Sequence, residues 1–284
     1  MTFQSINPTT GAPFATYEEW PTEEAQDVIG KVHRDYLAWR RTGFEHRASL
    51  MRNAAEILNK KAREYAQLMA EEMGKPFHDG VAEAEKCARA CEFFADNAEN
   101  FLTRHPVRTE ARRTFVAFNP IGVVLAVMPW NFPFWQVFRF AAPSLMAGNA
   151  ALLKHASNVP GCALAIEQIF RDAGFPENLL RTLMITSKQV EAVIEHPLVR
   201  AVTLTGSGAA GRAVASKAGA MLKKTVLELG GSDPYLVLED ADTDSAAAIC
   251  ARGRLLNSGQ SCIAAKRFIV VERPDRLSRN ALWR

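Results

Sequence analysis

The amino-acid sequence predicts an α/β protein organised on a parallel sheet, and three observations carry that expectation. From residue 121 onward, short apolar runs alternate with amphipathic stretches, the pattern of strands joined by helices that cover both faces of a sheet. Residues 22–104 instead repeat their apolar positions at helical spacing. A turn of small residues, Thr205-Gly206-Ser207-Gly208-Ala209-Ala210-Gly211, stands between a predicted strand and a predicted helix.

Taken in order, the chain opens with an extended stretch through Asn7-Pro8-Thr9-Thr10-Gly11. A helix is expected over 22–40, where Ala25, Val28, Ile29, Val32, Tyr36 and Trp39 share one face. A second is expected over 46–73, ended by Gly74-Lys75-Pro76, because glycine caps a helix and proline cannot continue it. The third spans 80–102, making three long helices before residue 104. On it Cys87 and Cys91 sit at i and i+4. A metal site and a pair of small core residues are both open there, and the absence of a further ligand at matching spacing favours the core. His78 and His105 read as surface residues. Residues 107–118 mix basic and apolar side chains without helical period, as an exposed hairpin or edge strand does.

Strands are then expected over 123–128, 150–153, 179–185, 201–205 and 225–229, with helices over 136–146, 162–173, 188–195 and 211–223. The residues after 232 continue the alternation: a strand over 234–238, a helix over 242–256 opened by an Asp cap, and a strand over 266–271. This divides the chain into 1–231, the helices with a Rossmann-like nucleotide-binding domain, and 232–284, the beginning of a second α/β domain. Beyond Glu272 the composition shifts, with Arg273, Arg276, Arg279 and Arg284 in a tail that has no apolar period.

Composition narrows the classes of function. The net charge of +3 is the small difference between 34 basic and 31 acidic residues, so no electrostatic bias favours nucleic acid or a membrane surface. No stretch approaches the ~18 uncharged apolar residues of a membrane span, and the N-terminus lacks a signal-like pattern. A cytoplasmic protein is expected. Five cysteines, an odd number without Cys-x-x-Cys spacing, read as reduced thiols with no metal site.

Four features bear chemistry. The turn at Gly206, Ser207, Gly208 and Gly211 has dinucleotide spacing and opens a helix, so its amides are placed to receive a pyrophosphate, although tight packing alone also selects small residues there. Pro129-Trp130-Asn131-Phe132-Pro133 follows a strand, and its prolines and aromatics would hold the Asn131 amide as a rigid donor or simply satisfy a buried turn. Cys262 follows the glycine-containing run Asn257-Ser258-Gly259-Gln260-Ser261; as a nucleophile it needs local stabilisation of its thiolate, and otherwise it is an inert core residue. Glu228 lies between an apolar strand and Gly230-Gly231, a position expected to bury it and raise its pKa towards that of a general base. The dinucleotide fingerprint offers the same acid a place on a ribose hydroxyl; a salt-bridged surface acid is the plain alternative.

Taken together, the opening Asn7 to Gly11 run, Glu71-Glu72-Met73-Gly74-Lys75-Pro76, the Pro129 to Pro133 loop, Leu204 to Ser207, Glu228-Leu229-Gly230-Gly231 and Gly259-Gln260-Ser261-Cys262 resemble the aldehyde dehydrogenase superfamily in content and order. The resemblance implies Cys262 as nucleophile, Glu228 as general base rather than ribose ligand, and Asn131 as oxyanion donor. It implies cofactor contacts from Trp130, Lys154, Ser157, Gly206, Ser207 and Gly211. Many NAD-using members carry a glutamate where this sequence has Ser157; without that carboxylate, and with Lys154 and His155 nearby, either NAD or NADP is expected. The Lys154-His155-Ala156-Ser157-Asn158-Val159 run and Arg139 are most similar to succinate-semialdehyde dehydrogenases, in which an arginine at the Arg139 position helps bind the substrate carboxylate.

The sequence also departs from that family. Members continue well past the cysteine, through a Glu-x-Phe-Gly-Pro motif and an oligomer-building strand, whereas here 284 − 262 = 22 residues follow Cys262. The expectation is a shortened product, its homo-oligomer weakened or lost. Three activities are therefore compared: NAD(P)-dependent oxidation of an aldehyde, nucleotide binding with little turnover, and a structural partner of longer subunits.

Overall fold

The computed structural model describes residues 2–271, so the expected Arg-rich tail lies outside the described residues. The chain divides into two compact units, Met1–Glu228 and Leu229–Arg284.

The first unit begins with an antiparallel hairpin, β1 (Thr2–Ile6) and β2 (Pro13–Glu18). The turn between them is closed by Asn7, whose side-chain oxygen accepts the Thr9 amide at 2.9 Å, an Asx turn where only an extended stretch was expected. Helix α1 (Thr22–Trp39) buries all six residues named from its periodicity. The expected helix over 46–73 is two, α2 (Phe44–Lys60) and α3 (Ala62–Met73), broken at Lys61 (φ −105°, ψ 16°). The bend lets both halves pack against the long helix α4 (Phe77–Phe101). There are thus four helices before residue 104 among the described residues. Gly74 closes α3 in the left-handed region at φ 74°, as the Gly-Lys-Pro signal predicts.

β3 (His105–Pro106) and β4 (Phe115–Val116) pair antiparallel over two residues each, so the hairpin expected over 107–118 starts earlier, at His105. The parallel sheet follows: β5 (Val123–Val127), β6 (Ala150–Lys154), β7 (Leu180–Thr182), β8 (Val199–Thr205) and β9 (Lys224–Glu228), in the spatial order β7-β6-β5-β8-β9. Its connections are α5 (Trp135–Met146), α6 (Pro160–Asp172), α7 (Val190–Glu195) and α8 (Gly208–Ala220). Inner strands β5 and β6 are almost wholly apolar and buried, whereas β9, at the sheet edge, leaves Val226 61% exposed. The order reverses between β5 and β8, and in open α/β sheets ligands bind beyond the carboxyl ends at that point.

The second unit holds β10 (Asp233–Val237) and β11 (Ala265–Val270), paired parallel and joined through α9 (Thr243–Leu255). The expected Asp cap is present, with Asp242 Oδ1 accepting the Ser245 amide at 2.8 Å. No described helix is long and apolar enough to cross a membrane.

Candidate active site

Every candidate residue of the first unit except Arg139 lies at or just beyond the carboxyl end of a sheet strand. Trp130 and Asn131 follow β5, Lys154 ends β6 with Ser157 three residues on, Gly206 and Ser207 follow β8 with Gly211 one turn into α8, and Glu228 ends β9. Parallel strands put all of these ends on one edge of the sheet.

The Asn131 loop is held from outside the sheet. Lys75 and Glu83, with side chains 1% and 2% exposed, form an ion pair at 2.6 Å. The Lys75 ammonium also donates to the Asn131 carbonyl at 3.2 Å and lies 4.2 Å from the Phe132 ring centroid. Glu83 Oε1 accepts the amides of Phe134 and Trp135, each at 2.9 Å. A carboxylate at the start of α5 also suits the helix dipole. Burial pushes the Glu83 carboxyl up from its ordinary range, against the opposing pull of Lys75 and the two amides.

His155 completes the clamp and corrects an expectation. The Ala156 amide donates to its Nδ1 at 2.8 Å, so its Nε2–H donates to the Pro133 carbonyl at 2.9 Å. Burial lowers its pKa to about 4, holding the ring neutral. His155 is therefore committed to the loop after β5 and does not supply a cation for a 2′-phosphate. Lys154 is largely buried, with its pKa lowered by desolvation, while Ser157 is exposed.

Ser207 is the N-cap of α8, its hydroxyl accepting the Ala210 amide at 3.2 Å. The glycine turn differs from a full amide cradle. The Gly206 amide donates to the Glu228 carbonyl at 2.9 Å and the Gly211 amide to the Ser207 carbonyl at 2.9 Å. What faces a ligand is the first turn, where Gly208 and Ala209 have no carbonyl within the helix to receive their amides.

Glu228 is not buried. Its side chain is 54% exposed because it ends the edge strand, and its Oε2 lies 3.7 Å from Arg139 Nη2. The same Arg139 nitrogen donates to Thr205 Oγ1 at 3.1 Å. Arg139, Thr205 and Glu228 line a cleft of about 590 Å³ whose apolar walls include Phe140, Pro143 and Val226. The cleft thus brings together a guanidinium, a hydroxyl and a carboxylate; Asn131 does not line it.

In the second unit, Cys262 is partly exposed and follows three residues in the left-handed region: Asn257 (φ 53°), Ser258 (φ 55°) and Gly259 (φ 78°). The other four cysteines are buried, and desolvation pushes their thiols up. Cys87 and Cys91 are core residues, and no group of metal-ligating side chains occurs among the described residues.

Sequence reasoning quoted Glu72 and Lys75 only as parts of a motif, without a role, and missed Glu83. Glu72 accepts the Gly161 and Cys162 amides at 2.8 Å each and the Ser5 hydroxyl, capping α6 and tying it to β1. One signal was available: Glu83 and Cys87 fall on the same apolar stripe of α4, and a carboxylate on such a stripe calls for a buried partner.

Fold and site define an α/β protein of the doubly wound class, its candidate site loops at the carboxyl edge of a sheet whose strand order reverses at the centre. The chain belongs to the aldehyde dehydrogenase family, whose family model matches residues 1–278. A probable succinate-semialdehyde dehydrogenase of Synechocystis sp., specified for NADP(+), is 51% identical over 270 residues, covering 95% of this chain and 60% of the relative. The crystal structure of succinic semialdehyde dehydrogenase from Streptococcus pyogenes in complex with NADP+ superposes with a TM-score of 0.91 at 38% identity, over 94% of this chain and 59% of that one. An NAD-dependent aldehyde dehydrogenase from Sinorhizobium meliloti gives a TM-score of 0.93 at 28% identity, over 100% of this chain and 57% of that one. The chain thus spans about 60% of the length of the curated relatives it matches.

Proposed function

We propose that this chain carries the NAD- or NADP-dependent oxidation of an aldehyde to its acid, with succinate semialdehyde as substrate. The observation behind this reading is that, in a chain of this family, Lys154, Asn131, Ser207 and Glu228 share the carboxyl edge of the sheet, with Arg139 and Glu228 in one cleft.

Each residue has a separate task. The Cys262 thiolate forms a bond to the aldehyde carbon and the carbonyl electron pair moves onto oxygen. The Asn131 amide and the Cys262 N–H stabilise that oxyanion, a donor of this kind contributing ~3–4 kcal/mol. Once the adduct carbon has given up its hydride a thioester remains on Cys262; Glu228 takes a proton from the water that hydrolyses it, and the Cys262 sulfur departs as the acid forms. Arg139 receives the substrate carboxylate.

The first-turn amides of α8 and the Lys154 ammonium fit the anionic and hydroxyl groups of a dinucleotide, with Trp130 and Ser157 beside them. The nicotinamide, when bound, supplies the hydride acceptor. Ser157 places no carboxylate against a 2′-phosphate, which supports use of NADP as well as NAD.

The test follows reduced nicotinamide with succinate semialdehyde and either cofactor at equal concentration, alongside equilibrium cofactor binding, so that binding without turnover is seen as such. Arg139→Ala should raise KM for succinate semialdehyde much more than for a neutral aldehyde. Equal effects on both would remove the substrate assignment, and a strong NAD preference would remove the Ser157 argument.

A further inference from the structure

We infer that Lys266 is a positioning residue for Cys262, its ammonium holding the turn that carries the thiol in one backbone conformation. The inference rests on the reading of Cys262 as nucleophile, and it draws on the second unit alone.

Lys266 Nζ donates to three carbonyls of one turn: Ser261 at 3.1 Å, Cys262 at 2.8 Å and Ala264 at 3.1 Å. An ammonium has three protons, and here each has a separate acceptor on the segment around the thiol. That segment has little regular structure of its own. It is entered through the three left-handed residues at 257–259, is crossed by the Gln260 amide to Asn257 carbonyl bond at 3.0 Å, and closes with the Ala264 amide on the Ser261 carbonyl at 3.2 Å. Two of the entering residues are not glycine, a conformation that L-residues hold only when their surroundings impose it. Lys266 stands at the second position of β11, so the strand provides a fixed base from which its side chain reaches back over the turn.

The geometry has a direct consequence for the thiol. Three carbonyl oxygens drawn to one point repel one another unless a cation lies among them, so the turn that carries Cys262 keeps this shape only while Lys266 holds it. The ammonium both gathers those dipoles and neutralises them. Removing it frees the turn, and with it the direction in which the thiol is presented, which lowers its reactivity.

The experiment uses the full chain and needs no turnover. Alkylation of Cys262 by iodoacetamide at neutral pH is timed by peptide mass for wild type, Lys266→Met, Lys266→Gln and Lys266→Arg. Cys250, buried on α9, is the internal reporter of unit opening. Wild-type Cys262 is expected to react several-fold faster than glutathione. Lys266→Met should slow it about tenfold with Cys250 still protected, and Lys266→Arg, which keeps the cation but presents a planar donor set, should recover part of that rate. If Lys266→Met exposes Cys250, the comparison passes to Gln against Arg, with the same expectation of slow against partly recovered. A fast wild type matched by its Met or Gln variant, or an Arg variant as slow as they are, overturns the inference. A wild-type Cys262 no faster than glutathione instead overturns the nucleophile reading itself, and the inference with it.

Discussion

The buried pair behind the Asn131 loop makes the sharpest energetic prediction. Lys75→Met leaves the Glu83 carboxylate almost wholly out of water with its ion partner gone, and Glu83→Gln does the same to the Lys75 ammonium. Breaking one side of such a pair costs ~3–5 kcal/mol, whereas removing both charges together is often near neutral. Lys75→Met/Glu83→Gln keeps a side-chain oxygen for the Phe134 and Trp135 amides while losing the bond to the Asn131 carbonyl and the contact with Phe132, so a loss of ~1–2 kcal/mol is expected. The double variant should therefore be more stable than either single one. Urea unfolding followed by tryptophan fluorescence measures this, with midpoints of the single variants lowered by roughly 1–2 M if m is ~2–3 kcal/mol/M. The pH dependence adds a sign. With Lys75 gone, burial holds the folded Glu83 pKa above its unfolded value, so the folded state binds the extra proton between the two and the Lys75→Met penalty grows as pH rises. A double variant no better than the worse single one, or single losses under ~1 kcal/mol, would refute the clamp.

Other outcomes follow from particular contacts. The His155 pKa of about 4 lies below the unfolded value of ~6.5, so its neutral, buried form contributes stability above the unfolded pKa that is lost as pH falls towards 4, on the order of 2–4 kcal/mol; His155→Gln should flatten the acid limb of a urea-midpoint profile. Gly80→Ala should cost ~1–3 kcal/mol in the same assay, since its Cβ would stand 2.9 Å from the Ala66 Cα, where α4 crosses α3 backbone to backbone. Lys154→Met should weaken binding of NAD and NADP alike, by ~1.5–3 kcal/mol in a fluorescence titration.

Much of this was readable from residue patterns because the pattern and the environment share a cause. The buried stripe of α1, the glycine cap of α3 and the Asp cap of α9 each depend on neighbours a few residues away. The break at Lys61 was not readable: Lys60-Lys61-Ala62 contains neither glycine nor proline, and the bend serves packing on α4. Glu228 misled for a related reason. Strand character is local, but whether a strand lies inside the sheet or at its edge depends on the order of all five. Likewise, the Asn131 motif stands out by itself, while its support comes from Lys75 and Glu83, 56 and 48 residues earlier (131 − 75 and 131 − 83).

That distance sets a limit on how the molecule can be divided. A fragment starting at β5 would retain all five strands of the parallel sheet, the Lys154 loop and the capped start of α8. It would pass as a self-contained nucleotide-binding module by topology, yet the amides of Phe134 and Trp135 would open to solvent and the Asn131 carbonyl would lose its cation. The helices before residue 104 are in this sense the back wall of the Asn131 loop, and grafting, circular permutation or domain exchange within this family would need to carry them along with the sheet.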